Sequence, residues 1–76
     1  MFDRVCEIVA DVTQNPLSAV TENSSSRNTD GWDAATQLSI IATIEMDFGV
    51  DFDQQEADSL NSVRRILQAL KMQMAA

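Results

Sequence analysis

The stretch Gly31–Phe52, GWDAATQLSIIATIEMDFGVDF, decides the fold. It holds the only Trp, both Gly residues and most of the large apolar side chains. Asp33 is placed to cap a helix, its carboxylate accepting from the free backbone N–H groups of the first turn. Ala34 and Ala35 are then the first two helical positions. Leu38, Ile41, Ala42, Ile44, Glu45 and Phe48 track the expected inner face and its margin. Gly49 is a natural stop, because a left-handed residue after a helix costs glycine little. Val50 and Phe52 alternate with Asp51 and Asp53. No second strand-like segment exists to pair with them, so an extended connector with two side chains turned inward is expected.

Working outward toward the N-terminus, Phe2, Val5, Ile8, Val9 and Val12 fall on one helical face. Arg4, Glu7 and Asp11 lie off it, and Asp3 sits in the first turn, where the helix dipole favours an acid. Asn15-Pro16 ends this helix, since the residue before proline is biased away from the helical region. Leu17–Asp30 is a long connection. Leu17 and Val20 are expected to pin its first half to the core, and its polar second half to stay mobile. Toward the C-terminus, residues 54–59 predict a short helix with Ala57 and Leu60 inward. Ser62 caps a last helix whose apolar face is Val63, Ile66, Leu67 and Leu70. Met72 and Met74 are expected to fray. The sum is an all-α fold in one domain, 1–76: a small bundle of three main helices and one short helix, with a long first loop.

Composition narrows the function. The chain has 76 residues, one cysteine, no histidine and a formal net charge of −7. A chain this short buries only a modest core. Lone Cys6 fits a reducing compartment rather than a disulfide-stapled scaffold, and a cytoplasmic protein is expected. Without histidine the commonest general base and zinc ligand are missing. Five basic residues do not make a phosphate-tracking surface, so nucleic acid is not an expected partner. An acidic chain is repelled by anionic membranes and steered toward basic protein surfaces. No apolar run spans a bilayer, and the N-terminus lacks the basic start and apolar core of a signal peptide.

The remaining motifs read as structure. Asp47, Gly49, Asp51 and Asp53 do not reproduce the register of a calcium loop, and Phe48 and Phe52 fall where such a loop is polar. No metal site is expected. No carboxylate stands with a nucleophile or a phosphate-binding glycine loop, so no catalytic residue is assigned and the chain is not read as an enzyme. Cys6 lies between core positions, beside Asp3 and Glu7, which do not activate a thiol. Trp32, before the helix start, reads as a packing residue or as part of a partner-facing surface.

The ordered set resembles an acyl carrier protein. That family commonly shows Trp-Asp-Ser-Leu at the start of its second helix, then an apolar helix, then Glu-x-x-Phe-Gly-Ile/Val. Here the pattern reads Trp32-Asp33-Ala34-Ala35, Leu38, Ile41, Ile44, then Glu45-Met46-Asp47-Phe48-Gly49-Val50. A short acidic helix and a Ser/Thr-Val start of the last helix match Glu56–Leu60 and Asn61-Ser62-Val63. The resemblance covers nearly the whole chain.

It implies a non-catalytic carrier that tethers acyl intermediates on 4′-phosphopantetheine, for fatty-acid, polyketide or related secondary-metabolite synthesis. It implies Asp33 and position 34 as the cofactor site, with Trp32, Ala35, Leu38, Glu45 and Asp47 facing partners. Those partners are a phosphopantetheinyl transferase and acyl-transfer or synthase enzymes with basic docking surfaces, and the carrier is expected to be a monomer. A phosphodiester at a helix start meets free N–H groups and the positive end of the dipole. Three departures stand out. Ala34 replaces the serine that bears the arm, so this chain cannot carry it. Ala35 replaces leucine. Thr36, Gln37, Ser39 and Met46 leave the second helix less acidic than is common. Two origins for Ala34 are open: a substitution made to keep the protein unmodified, favoured by the intact surroundings, and natural divergence, favoured by Ala35. A peptidyl carrier, and a degenerate module that only binds protein partners, are the alternatives.

Overall fold

A computed structural model describes residues 1–75; Ala76, last in the expected domain, lies outside the described residues. Among the described residues four helices follow in order: α1 (Phe2–Thr13), α2 (Ala34–Phe48), α3 (Gln54–Ser59) and α4 (Val63–Met74), with one 3-10 turn at Leu17–Ala19. Helix α1 packs against α2 and α4, and α3 lies on α2. The fold is an all-α bundle with no strand among the described residues; the one β-type contact is an isolated bridge between Ser25 and Ser62. No described helix is long and apolar enough to cross a membrane.

Local chemistry sets the helix ends. Asp33, Asp53 and Ser62 cap α2, α3 and α4, each side chain accepting from the backbone N–H three residues on. Gly49 closes α2 in the left-handed conformation (φ 67°). Helix α1 stops at Gln14, also left-handed (φ 60°), ahead of Pro16.

The centre of the core is aliphatic: Val5, Val9, Ile40, Ile44, Val63, Ile66 and Leu70 are fully buried. Val20, Trp32, Phe52 and Leu60 close its edges. Cys6 is buried, and burial, with Asp3 nearby, pushes its thiol above the ordinary range.

Several expectations change. Phe2, expected on the buried face of α1, is exposed, while Ala10 joins the core. On α2 the buried stripe is Ile40, Ile41 and Ile44; Leu38 and Ala42, expected inward, face out. Apolar residues cover most of the circumference of this helix, leaving Thr36, Ser39, Thr43 and Asp47 as its polar stripe, so spacing alone does not choose the inner side. In the long loop Val20 is buried but Leu17 is exposed. The second half is not detached: Ser24 is buried, Val63 N–H donates to Ser24 O at 3.0 Å, and Ser26 N–H donates to Asn61 O at 3.0 Å. Polar composition hid this because these bonds are made by backbone groups; Arg64 of α4 adds a side-chain hydrogen bond to Asn23 Oδ1 at 3.0 Å. Helix α4 continues through Met72 to Met74.

Candidate functional site

The start of α2 is built by a reciprocal cap. Thr36 N–H donates to Asp33 Oδ1 at 3.0 Å, and Asp33 N–H donates to Thr36 Oγ1 at 2.8 Å. The Thr36 hydroxyl donates in turn to Gly31 O at 2.6 Å. This capping box fixes the direction in which the chain enters the helix. The Thr36 N–H holds the Asp33 carboxyl below the usual carboxylate range, against an opposing effect of burial. The carboxylate therefore stays ionised at neutral pH and committed to the cap.

Ala34 is the first residue of α2, exposed, at the mouth of an open cleft of about 380 Å³. Ser26, Trp32, Asp33, Gln37, Asp58 and Asn61 complete its lining. The cleft thus joins the long loop, the start of α2 and the end of α3. Ala34 presents a methyl group where a side chain could carry a substituent outward, beside backbone N–H groups at the positive end of a 15-residue helix.

Gln37 holds this corner together, and nothing in the sequence marked it for that role. Its Oε1 accepts from the Trp32 indole at 2.6 Å, and its Nε2 donates to Ala57 O and Leu60 O at 3.0 and 2.9 Å. Those carbonyls lie 20 and 23 residues along the chain, out of reach of any local pattern. Trp32 is 4% exposed, so its ring belongs to the core and only its edge reaches the cleft.

The other expected site residues lie along α2. A groove of about 230 Å³ runs between α2 and α3, with Leu38, Ile41, Ala42, Phe52 and Ala57 among its apolar walls and Asp58 at its rim. Asp58 lines both this groove and the cleft beside Ala34, so the two are contiguous. Glu45 reaches the connector, where its Oε2 accepts from Phe52 N–H at 2.8 Å. Asp47 lies at the far end of α2. Its two oxygens accept from Arg4 Nε and Nη2 at 2.9 and 3.0 Å. The fold thus gathers Trp32, Asp33 and Ala34 at one place, strings Ala35 and Leu38 along the exposed side of α2, and turns Glu45 and Asp47 to intramolecular partners.

No protein-family model and no curated protein sequence matches this chain.

Proposed function

We propose that the chain is an acyl carrier protein scaffold in a form that cannot be loaded. Position 34 carries the reading. It opens α2, is exposed at the mouth of a cleft, and follows a capping aspartate. A serine there would bear the phosphodiester of a 4′-phosphopantetheine arm against free N–H groups and the helix dipole. The contiguous apolar groove between α2 and α3 supports a tethered acyl chain lying partly out of water. The element order, with a long first loop and a short third helix, supports the same reading. Such a carrier performs no chemistry of its own. It presents its cargo to a phosphopantetheinyl transferase and then to acyl-transfer or synthase enzymes of fatty-acid, polyketide or related secondary-metabolite assembly.

The test restores the hydroxyl. Ala34→Ser, incubated with coenzyme A and a broad-specificity phosphopantetheinyl transferase, should gain the mass of one phosphopantetheine while the parent chain gains none. A folded revertant that stays unmodified would count against the carrier reading and favour a module that only binds partners. Loading of the modified revertant by acyl-specific or aminoacyl-specific enzymes separates an acyl carrier from a peptidyl carrier.

A further inference from the structure

The chain carries 12 acids and five bases, so a cation without a carboxylate partner stands out. Arg4 pairs with Glu7 and Asp47, and Arg64 with Glu22. Arg27, Arg65 and Lys71 enter no ion pair among the described residues. Lys71 lies in the last turn of α4, where the helix dipole favours a cation. Arg27 and Arg65 instead line one cleft of about 290 Å³ between the long loop and the start of α4. Ser25, Ser26, Asn61 and Ser62 complete its lining, and no carboxylate is among them.

The fold builds this cleft from segments far apart in sequence. Ser25 and Ser62 form the isolated bridge, and Ser26 N–H donates to Asn61 O at 3.0 Å, so the loop is tied to the helix start through its backbone. A turn sets Arg27 on the loop side. Its N–H donates to Ser25 Oγ at 3.3 Å, and Asn28 N–H donates to Ser25 O at 3.2 Å. On the other side Arg65 Nη1 donates to Ser59 O at 3.2 Å. That bond holds one nitrogen of the guanidinium and leaves the rest of its fork. Ser62 caps α4, its Oγ accepting from Arg65 N–H at 3.1 Å, so the positive end of a 12-residue helix opens beside the cleft. Two guanidinium groups facing one cleft with no acid between them repel each other, and an anion relieves that repulsion.

We propose that this cleft binds the phosphate group of a small phosphorylated compound. Guanidinium forks match phosphate oxygens two at a time. The serine hydroxyls and the Asn61 amide are donors for the oxygens that remain. The cleft adjoins the one beside Ala34 through Ser26 and Asn61, which line both, so a substituent on the phosphate has room on that side. Two arginines make one phosphate site and not a track along a nucleic acid. The net charge of −7 opposes any approaching anion. Affinity therefore rests on short-range bonds inside the cleft. None of this rests on position 34 being modifiable.

The full chain is titrated at low ionic strength with inorganic phosphate, pyrophosphate and acetate, with backbone amides followed by NMR. Phosphate and pyrophosphate should give saturable shifts in 25–28 and 61–65, pyrophosphate the tighter, and acetate should give none. Arg27→Gln and Arg65→Gln should each weaken pyrophosphate roughly fivefold or more. Arg27→Lys should recover only part of the loss, because an ammonium keeps the charge without the fork. Lys71→Gln removes the same charge at the far end of α4 and should change binding by less than about twofold. Amide spectra of the variants report whether the fold is kept. Arg27, exposed on the loop, keeps the test decisive if Arg65→Gln unfolds. Equal weakening by Lys71→Gln, indifference to Arg27→Gln, shifts spread over the whole chain, or no saturable shift would overturn the site. A phosphoserine peptide binding more tightly than pyrophosphate would overturn the small-molecule assignment in favour of a partner segment. No coenzyme A or transferase enters the assay, so its failure is separate from failure of the carrier reading.

Discussion

Gln37 shows how much of this fold hangs on one amide. It accepts from the Trp32 indole and donates to two carbonyls at the end of α3. Its removal leaves the half-buried indole N–H and the Leu60 carbonyl without partners, and leaves Ala57 O with the Leu60 N–H alone, which costs more than the hydrogen bonds are worth when made. Gln37→Ala should therefore destabilise the chain by about 1–3 kcal/mol in urea unfolding followed by Trp32 fluorescence. Gln37→Glu is the sharper variant. A carboxylate still accepts from the indole but donates nothing to Ala57 or Leu60, whereas its protonated form keeps one donor. The deficit relative to the parent should be larger at pH 7 than at pH 4. An equal deficit at both would mean that the two carbonyl contacts contribute little. Asp33, by contrast, was legible at the residue scale, because its partner Thr36 lies three positions along in a cap whose chemistry is local.

At the scale of elements, the helix stops differ in what they ask of their residues. Gln14 and Gly49 have nearly the same left-handed geometry, φ 60° and 67°. Glycine adopts it freely and a side chain does so at a cost of about 1 kcal/mol. Gln14→Gly should thus stabilise the chain by up to about 1 kcal/mol and Gly49→Ala destabilise it by about the same. At Gly49 the cost is conformational only, because an added Cβ meets nothing within 4 Å. Gly31 is a different case. It too has a positive φ, 80°, and an added Cβ would lie 2.7 Å from the carbonyl oxygen of Thr13. Gly31→Ala must push the loop off the end of α1, so thermal unfolding should show a clearly larger loss than for Gly49→Ala. Similar losses for the two would mean that the loop yields easily. The same contrast governs what the sequence revealed. Caps and stops at Asp33, Gly49 and Ser62 depend on neighbours a few residues away and are legible in the sequence, whereas α1 stops at Gln14, before the Asn15-Pro16 pair expected to end it. The inner side of α2 depends on which of several apolar stripes meets α1. Ile40 was therefore missed and Leu38 misplaced. The loop's attachment to the start of α4 runs through backbone groups of Ser24 and Ser26, which carry no side-chain signature, and through Arg64, whose partners Asn23 and Glu22 lie about 40 residues back along the chain.

Across the whole molecule, two opposing electrostatic effects set the response to pH. The chain holds 12 acids against five bases, and self-repulsion in a compact body of that charge is destabilising. Lowering the pH toward the isoelectric point of about 4.1 relieves it. Against this stand carboxylates whose ionised form the fold prefers. Arg4 holds the Asp47 carboxyl below the ordinary range, through its hydrogen bonds first and its charge after a small opposing effect of burial. Thr36 N–H does the same for Asp33. A carboxyl depressed in the folded state contributes stability that is complete above its unfolded value, about 4, and is lost as pH falls through the lower folded value. Stability should accordingly hold or rise slightly from pH 7 to about 5, then fall below about 4. Two measurements separate the effects. At pH 7, salt at about 1 M, with a Debye length near 3 Å, should raise the thermal midpoint by screening the repulsion, and near the isoelectric point the same salt should do much less. Asp47→Asn removes the titrating partner of Arg4, whose pairing ties α1 to α2 across 43 residues of sequence. In that variant the deficit relative to the parent should be present at pH 7 and shrink as the parent's own Asp47 protonates below about pH 4. A deficit that stays constant down to the acid limb would show that the ion pair contributes through shape alone and that acid unfolding is driven elsewhere.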